Sequence, residues 1–171
     1  SGTTVTMSFP LASRAEFSRE TPAFQAYPKG LRILVVDDEP TLRQLVREML
    51  ERDSHQVVTA KDGHAALAQF DAAIAQERAF DVVITDLGMP EMGGRRVAQL
   101  LKERQPAIPV VLLTGWGARM RAEHDKPAEV DIVLAKPPRL ETLRGALAHV
   151  LQSRPDAMPE DGVEDDTVVP A

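Results

Sequence analysis

The sequence predicts an α/β domain in which a parallel sheet is joined by crossover helices. Short apolar runs rich in valine and isoleucine alternate with longer segments whose apolar residues recur at helical spacing. Five such pairs follow one another from residue 31 onward, and this alternation is typical of a parallel sheet with helices packed against it. The first run, residues 31–36, is apolar along its whole length, as expected of a strand that is covered on both faces.

The first two helices are predicted from their start signals and their apolar stripes. Pro40 suits a first helical turn, because proline lacks the amide hydrogen that this turn leaves unpaired anyway. Asp62 is expected to cap the second helix, and Gln56–Ala60 is predicted as the strand between the two helices. The expected buried stripes are Leu42, Leu45, Val46, Met49 and Leu50 in the first helix, and Leu67, Phe70, Ala73 and Ile74 in the second.

The remaining strands are predicted at residues 80–85, 108–113 and Ile132–Ala135. Glycines and prolines in residues 87–94 prevent a strand or helix from continuing there. Residues 117–130 are polar and contain a proline, so the fourth helix is expected to be short or mobile. The expected buried stripes are Val97, Leu100 and Leu101 in the third helix, and Leu140, Leu143, Leu147, Val150 and Leu151 in the last.

Composition sets the domain limits and excludes several classes of protein. Of the 171 residues, 31–152 are predicted to form the domain, 11–30 a linker and 153–171 a disordered acidic tail. The absence of cysteine excludes a disulfide scaffold and thiolate metal sites, and the expected location is the cytoplasm. The net charge of −6 argues against general nucleic-acid or membrane-surface binding. Neither a membrane helix nor a signal peptide is expected in this fragment.

Polar residues stand where the predicted strands end. Asp37 and Asp38 follow the first strand, Asp86 the third, Thr114 the fourth and Lys136 the fifth. The carboxyl ends of parallel strands meet at one edge of the sheet, and open doubly wound sheets bind their ligands there. Carboxylates held close together raise one another's pKa, so such a cluster usually requires a divalent cation or a catalytic role.

Four runs in this sequence resemble the receiver domains of bacterial two-component response regulators. They are Leu-Val-Val-Asp-Asp-Glu-Pro (34–40), Thr-Asp-Leu-Gly-Met-Pro-Glu-Met-Gly-Gly (85–94), Leu-Leu-Thr-Gly (112–115) and Leu-Ala-Lys-Pro-Pro (134–138), in the order found in that family. The resemblance covers about residues 31–152. It implies a flavodoxin-like doubly wound sheet of five parallel strands in the order 2-1-3-4-5, with helices on both faces.

The resemblance also implies a phosphorylation site that uses Mg²⁺. Asp86 would accept a phosphoryl group from a phosphohistidine, with a cation neutralising the charges that otherwise repel each other. Asp38, Asp86 and the backbone carbonyl of Gly88 would bind Mg²⁺ directly, while Asp37 would act through water. The implied phosphodonor is a histidine kinase or a phosphotransfer domain.

The resemblance assigns the response to phosphorylation to Lys136 and Thr114. Lys136 would place its charge on the phosphoryl group, and the Thr114 hydroxyl would move toward it and repack the surface of the fourth helix, fifth strand and fifth helix. Two positions depart from the family pattern. Val133 stands where the family commonly carries Phe or Tyr, so aromatic switching is not expected, and Gly88 leaves space beside the phosphoryl group. Trp116, the only tryptophan, is expected at the mouth of this site.

Residues 1–10 carry a second resemblance, to the closing strand of the ATP-binding domain of histidine kinases, through Gly-Thr-Thr-Val-Thr-Met-Ser-Phe-Pro. It implies that the domain is the C-terminal receiver of a hybrid sensor histidine kinase. The receiver itself would then be a self-phosphorylating switch, and the parent chain a histidine protein kinase.

Two other functions fit parts of the same pattern. One is a Mg²⁺-dependent aspartyl-phosphate phosphatase, although such enzymes typically carry a second acid where this chain has Gly88. The other is a degenerate receiver that serves only as an interaction domain. Adjacent acids after a strand are, taken alone, more often a solvated loop or a helix cap than a metal site.

Overall fold

The computed structural model describes residues 29–115 and 127–152. In chain order its elements are β1 (Arg32–Val36), α1 (Pro40–Arg52), β2 (Gln56–Ala60), α2 (Gly63–Ala75), β3 (Val82–Asp86), α3 (Gly94–Arg104), β4 (Val110–Thr114), β5 (Ile132–Ala135) and α4 (Leu140–Gln152). The strands form one parallel sheet in the order β2-β1-β3-β4-β5. The predicted α/β class and strand order are therefore confirmed.

Two apolar cores lie on opposite faces of the sheet. On one face, Leu34 and Leu112 pack with Phe70 of α2 and Leu101 of α3, all completely buried. β1, β3 and β4 are buried on both faces, because successive side chains point to alternate sides of the sheet. The second core holds Ile33, Ile84 and Val111 of the sheet, Val46 and Leu50 of α1, and Leu143 and Leu147 of α4.

Several predicted boundaries agree with the structure, and two strands are shifted along the chain. Pro40 opens α1, and the Asp62 carboxylate caps α2 by accepting the Ala65 N–H at 2.7 Å. β3 and β4 begin two residues later than predicted. Phe80 and Ile108 are buried, but they precede the residues that pair with neighbouring strands.

Two residues of the predicted stripes do not face the core. Leu45 is 39% exposed and Ile74 is 43% exposed, whereas Val46 and Ala73, their neighbours in sequence, are buried. One residue along a helix turns the side chain by about 100°, so a helix on a sheet buries only a narrow stripe. The apolar periodicity in α1 and α2 therefore predicted a wider buried stripe than the structure has.

Several predictions concern residues outside the described parts of the chain. They are the kinase-like strand at residues 1–10, most of the linker at 11–30, the acidic tail at 153–171 and the position of Trp116. Of the predicted fourth helix, only residues 127–130 are described, and these form a turn in which the Val130 N–H bonds the Pro127 carbonyl. No helix within the described ranges is both long and apolar enough to cross a membrane.

Candidate metal and phosphoryl site

The carboxyl edge of the sheet brings the predicted site residues together. Asp37 follows β1 directly, Asp86 and Thr114 are the last residues of β3 and β4, and Lys136 follows β5. Because β1, β3, β4 and β5 run parallel and in register, these four residues all lie at the same edge. The convergence expected from the sequence alone is present in the structure.

Three carboxylates form an acidic cluster at this edge. Asp37, Asp38 and Asp86 each present an oxygen, and the three oxygens lie within 4.8 Å of one another. Asp37 is only 1% exposed and Asp86 7%, whereas Asp38 faces solvent. Close, buried carboxylates repel one another strongly because little water screens them. The repulsion among the three carboxylates therefore lowers the stability of the fold, and a bound cation would relieve it.

Among the described residues, Lys136 is the positively charged side chain that contacts carboxylates of this cluster. Its Nζ lies 2.8 Å from Asp37 Oδ2 and 2.9 Å from Asp86 Oδ1. Burial lowers the pKa of Lys136, but its contacts with the two carboxylates outweigh burial and raise the pKa above its usual value. The ammonium therefore stays charged at neutral pH and holds two of the three acids together.

The donor set fits a hard divalent cation. Mg²⁺ prefers oxygen ligands, and all three acids offer carboxylate oxygens. Asp37 Oδ2 is buried, and it lies 2.8 Å from the Lys136 Nζ. Among the described residues one lysine contacts this group of three carboxylates, so two negative charges remain for a cation.

A cleft of about 480 Å³ opens beside the phosphoacceptor candidate. A side chain at Gly88 would begin 3.9 Å from Asp86 Oδ2, with no other atom within 4 Å, so the glycine leaves that side of the carboxylate open. The space is large enough for a phosphoryl group and its attacking or leaving atom. The described residues that line the cleft are Asp86, Leu87, Gly88, Thr114, Gly115 and Lys136.

Backbone contacts hold the turn that carries the acidic pair. The Asp37 N–H bonds the Ala60 carbonyl at 3.2 Å, and Asp37 Oδ1 accepts the Glu39 N–H at 2.9 Å. Arg43 adds a contact from α1, where its guanidinium donates to the Asp37 carbonyl at 2.5 Å. Sequence reasoning missed Arg43, because its partner is a backbone carbonyl and such a contact leaves no pattern in the sequence.

Gly94 packs directly on the backbone of Asp86. A Cβ at Gly94 would lie 2.1 Å from the Asp86 carbonyl oxygen and 2.9 Å from Leu112 Cδ1, which is closer than real atoms approach. The Gly94 N–H also bonds the Leu87 carbonyl at 3.1 Å, closing the loop between β3 and α3. The sequence motif contained this glycine, but its contact with Asp86 was not foreseen.

Val133, one of the two departures from the family pattern, and Thr114, which matches that pattern, have different structural settings. Val133 is 5% exposed and belongs to the core on the α2 and α3 face, so it is a packed core residue. Thr114 is buried at the end of β4, and its carbonyl accepts the Lys136 N–H at 2.9 Å. The backbone thus links the two residues predicted to respond to phosphorylation.

Comparison with known proteins identifies a family. A family model described as the response regulator receiver domain matches residues 33–148. The two-component response regulator ORR26 of Oryza sativa subsp. japonica is 32% identical over 129 residues, which is 75% of this chain and 22% of that protein. The sensor histidine kinase RcsC of Salmonella typhimurium is 34% identical over 116 residues, which is 68% of this chain and 12% of the kinase. The chain thus covers less than a quarter of either relative.

A solved structure supports the same assignment. The response regulator protein TrrA from Thermotoga maritima, solved in complex with Mg²⁺ and BeF, superposes with a TM-score of 0.61 at 29% sequence identity. The match covers 70% of this chain and 98% of that one.

Proposed function

The chain belongs to the response regulator receiver domain family of two-component systems, and from this membership we propose that Asp86 accepts a phosphoryl group from a phosphohistidine. The transfer uses Mg²⁺, and the phosphorylated domain changes conformation. The observation that carries the proposal is the grouping of three carboxylates and Lys136 around Asp86 at the mouth of a cleft. Burying two carboxylates costs free energy, and a cluster without a function would gain nothing that offsets this cost.

Asp37, Asp38, Asp86 and the backbone carbonyl of Gly88 are the residues that would hold Mg²⁺. Bound there, the cation neutralises the carboxylates and the incoming phosphoryl oxygens, which otherwise repel each other. Asp38 is exposed and meets the ion from solvent, whereas the buried Asp37 acts through water. The Mg²⁺ complex of the similar protein TrrA supports this choice of metal.

Asp86 is the nucleophile of the transfer. A carboxylate oxygen forms a bond to phosphorus while the phosphorus–nitrogen bond of the phosphohistidine breaks, and the imidazole nitrogen keeps the electron pair. Asp86 suits this role because its carboxylate is nearly buried, faces a cleft and has an open side next to Gly88. The product is an aspartyl phosphate inside a site that already holds a positive charge.

Lys136 and Thr114 respond to the new group. Phosphorylation replaces the single negative charge of the Asp86 carboxylate with a phosphoryl group that carries about −1.5 to −2 units of charge, so the Lys136 ammonium gains a partner stronger than the carboxylates it now contacts. The Thr114 hydroxyl donates to a phosphoryl oxygen, and a small movement of β4 and of the chain after it follows. Val133 remains in the core, so this movement is transmitted without an aromatic side chain.

The phosphodonor is a histidine kinase or a phosphotransfer domain, and the receiver, residues 31–152, works in the cytoplasm. The similarity to a sensor histidine kinase supports a hybrid parent in which this receiver follows the kinase. The phosphatase alternative has less support, because Gly88 provides no side chain where such enzymes carry their second acid.

Intact-mass measurement after treatment with acetyl phosphate and Mg²⁺ tests the proposal. We expect the wild-type chain to gain the mass of one phosphoryl group, and the Asp86→Asn variant to gain none. Omission of Mg²⁺ should suppress the modification of the wild-type chain as well. The matched control is Asp71→Asn, which removes an exposed acid on α2 that pairs with Arg104.

Equal modification of the wild type and Asp86→Asn would overturn the proposal, as would an unmodified wild-type protein that binds Mg²⁺ normally. Continuous release of phosphate over many turnovers would instead favour the phosphatase. A wild-type chain that neither binds Mg²⁺ nor accepts phosphate would indicate a degenerate receiver.

A further inference from the structure

We propose that Arg43 is a positioning residue for the Mg²⁺ site, because it fixes the peptide unit between Asp37 and Asp38. This inference rests on the proposed function, since it concerns the same metal site. It assigns a role to a side chain that is neither an acid nor a metal ligand. The role is to hold the two acids in the orientation that a cation requires.

The contact links α1 to the end of β1. Arg43 is half-buried, and its Nη1 donates to the backbone carbonyl of Asp37 at 2.5 Å. The Arg43 N–H also bonds the Glu39 carbonyl at 3.0 Å, so the same residue continues the helix that begins at the end of the turn. A hydrogen bond from a charged guanidinium is shorter and stronger than one between neutral groups.

The geometry of a peptide unit explains why this contact controls both acids. The Asp37 carbonyl and the Asp38 N–H belong to one planar group, and rotating that plane changes the directions of both side chains. The Asp37 N–H and its Oδ1 are already held by Ala60 and Glu39. Arg43 supplies the contact that fixes the carbonyl of this peptide unit. Without it, the peptide unit that carries the exposed Asp38 would lose this hydrogen bond.

Positioning and simple electrostatics predict opposite effects on Mg²⁺ binding. Arg43 places a positive charge next to the acidic cluster, and that charge by itself repels a cation. If charge dominated, removing Arg43 would strengthen Mg²⁺ binding. If positioning dominates, removing it weakens binding, because the acids must be ordered when the ion arrives. The sign of the change therefore separates the two explanations.

The test is isothermal titration of the full chain with Mg²⁺ for the wild type and the variants Arg43→Met and Arg43→Lys. We expect Arg43→Met to bind Mg²⁺ about 10-fold more weakly, at the lower end of the range for losing a residue that orients metal ligands. Arg43→Lys keeps the charge and one donor, so its Mg²⁺ affinity should lie between that of the wild type and that of Arg43→Met. The matched control is Arg47→Met, which removes the same charge one turn along α1, where Arg47 pairs with Glu51.

A second readout distinguishes positioning from general loss of structure. The rate of modification by acetyl phosphate should fall in Arg43→Met at limiting Mg²⁺ and return to near the wild-type rate at saturating Mg²⁺. A purely structural role would lower thermal stability but leave the Mg²⁺ affinity of the folded protein unchanged. Arg47→Met should match the wild type in both measurements or bind Mg²⁺ slightly more tightly.

Unchanged or tighter Mg²⁺ binding by Arg43→Met would overturn the inference and leave the proposed function intact, provided the wild type binds Mg²⁺ and is phosphorylated. Equal weakening in Arg43→Met and Arg47→Met would also overturn it. Failure of the wild type itself to bind Mg²⁺ would count against the proposed function and remove the premise of this inference.

Discussion

The two edges of the sheet carry similar charged side chains, but the charges are unbalanced at the carboxyl edge and balanced at the amino edge. At the carboxyl edge, Asp37, Asp38 and Asp86 lie together, and among the described side chains the Lys136 ammonium contacts two of them, Asp37 and Asp86. The excess of negative charge there is partly buried, and the described side chains do not neutralise it. This edge is therefore prepared for a cation and a phosphoryl group.

At the amino edge, acids have matched partners. Asp53 forms two short contacts with the Arg144 guanidinium, at 2.5 and 2.6 Å. Asp81 accepts the Arg32 N–H at 2.8 Å. Asp131 accepts the first N–H of β4 at 2.7 Å, and its carboxylate also lies 3.1 Å from Lys102.

The contrast between the two edges separates charges that stabilise the fold from charges that are available to a ligand. Charge that is balanced locally stabilises the fold, as at the amino edge, where acids bond strand N–H groups and pair with cations. Buried charge that has no partner lowers stability unless a bound ligand neutralises it. The stability of variants at the carboxyl edge should therefore depend on Mg²⁺, whereas that of variants at the amino edge should not.

Among the variants considered, the loss of Lys136 should lower the free energy of unfolding most. Lys136→Met leaves Asp37 and Asp86 buried without their common cation, and we expect the free energy of unfolding to fall by about 3 kcal/mol without Mg²⁺. Saturating Mg²⁺ should restore most of that loss, because the ion takes over the neutralisation. Urea denaturation with and without Mg²⁺ measures both values. The control Arg104→Met removes the exposed partner of Asp71, should cost less than about 1 kcal/mol and should not respond to Mg²⁺.

The next effect concerns the packing behind Asp86. Gly94→Ala forces a methyl group against the Asp86 carbonyl, so we expect a loss of about 2 kcal/mol in unfolding free energy and slower phosphorylation. Gly145→Ala is the matched control, because a Cβ at Gly145 in α4 meets nothing within 4 Å. Alanine favours helix over glycine, so the control should gain up to about 1 kcal/mol. Equal stability of the two variants would refute the close packing at Gly94.

Removing one acid from each edge should give changes of opposite sign. Asp53→Asn breaks the contact with Arg144 and should cost about 1.5 kcal/mol, with or without Mg²⁺. Asp38→Asn relieves repulsion, so without Mg²⁺ the protein should be as stable as the wild type or slightly more so. With Mg²⁺ it should gain much less stability than the wild type does. Destabilisation of both variants without Mg²⁺ would contradict the contrast between the edges.

The smallest effect is a pH dependence at the amino edge. Burial lowers the pKa of His55 below its usual 6.5, although Asp53 and Asp81 face it and act in the other direction. Between the folded-state pKa and about pH 6.5 the unfolded chain therefore binds more protons than the folded one. The free energy of unfolding falls as the pH drops from about 6.5 toward the folded-state pKa and levels off below it. The Asp53 pKa is lowered, chiefly by its hydrogen bond to Arg144, so that carboxylate stays ionised in this range.

Urea denaturation of the wild type and His55→Gln at pH 7.5 and 5.5 measures this contribution. The wild type should lose more stability between the two values than the variant, and this difference should not depend on Mg²⁺. An equal loss in both proteins would assign the pH dependence to other groups.

Much of the fold and of the site could be predicted from the sequence because the relevant signals are local. The strands appear in the sequence as apolar runs, and a single proline marks the start of α1. Asp62 caps α2 as expected. The site residues could be placed at one edge because parallel strands end together. Leu45 and Ile74 were assigned wrongly, because periodicity identifies a face but not the width that the sheet covers.

Other features could not be predicted, because they depend on contacts between distant segments. Neither the close approach of Gly94 to the Asp86 carbonyl nor the ion pairs of Lys136 with two acids leave a local pattern in the chain. The same holds for Arg43, whose partner is a carbonyl oxygen that every residue possesses.

The α/β class, the order of the elements and the chemical types at the carboxyl edge follow from the amino-acid sequence alone, since they depend on periodicity and on residue identity at strand ends. Only the tertiary structure decided which charges are neutralised, which atoms are buried and which side chain holds the turn of the acidic pair. Electrostatic balance is a property of distances between segments, and those distances exist only once the sheet has formed.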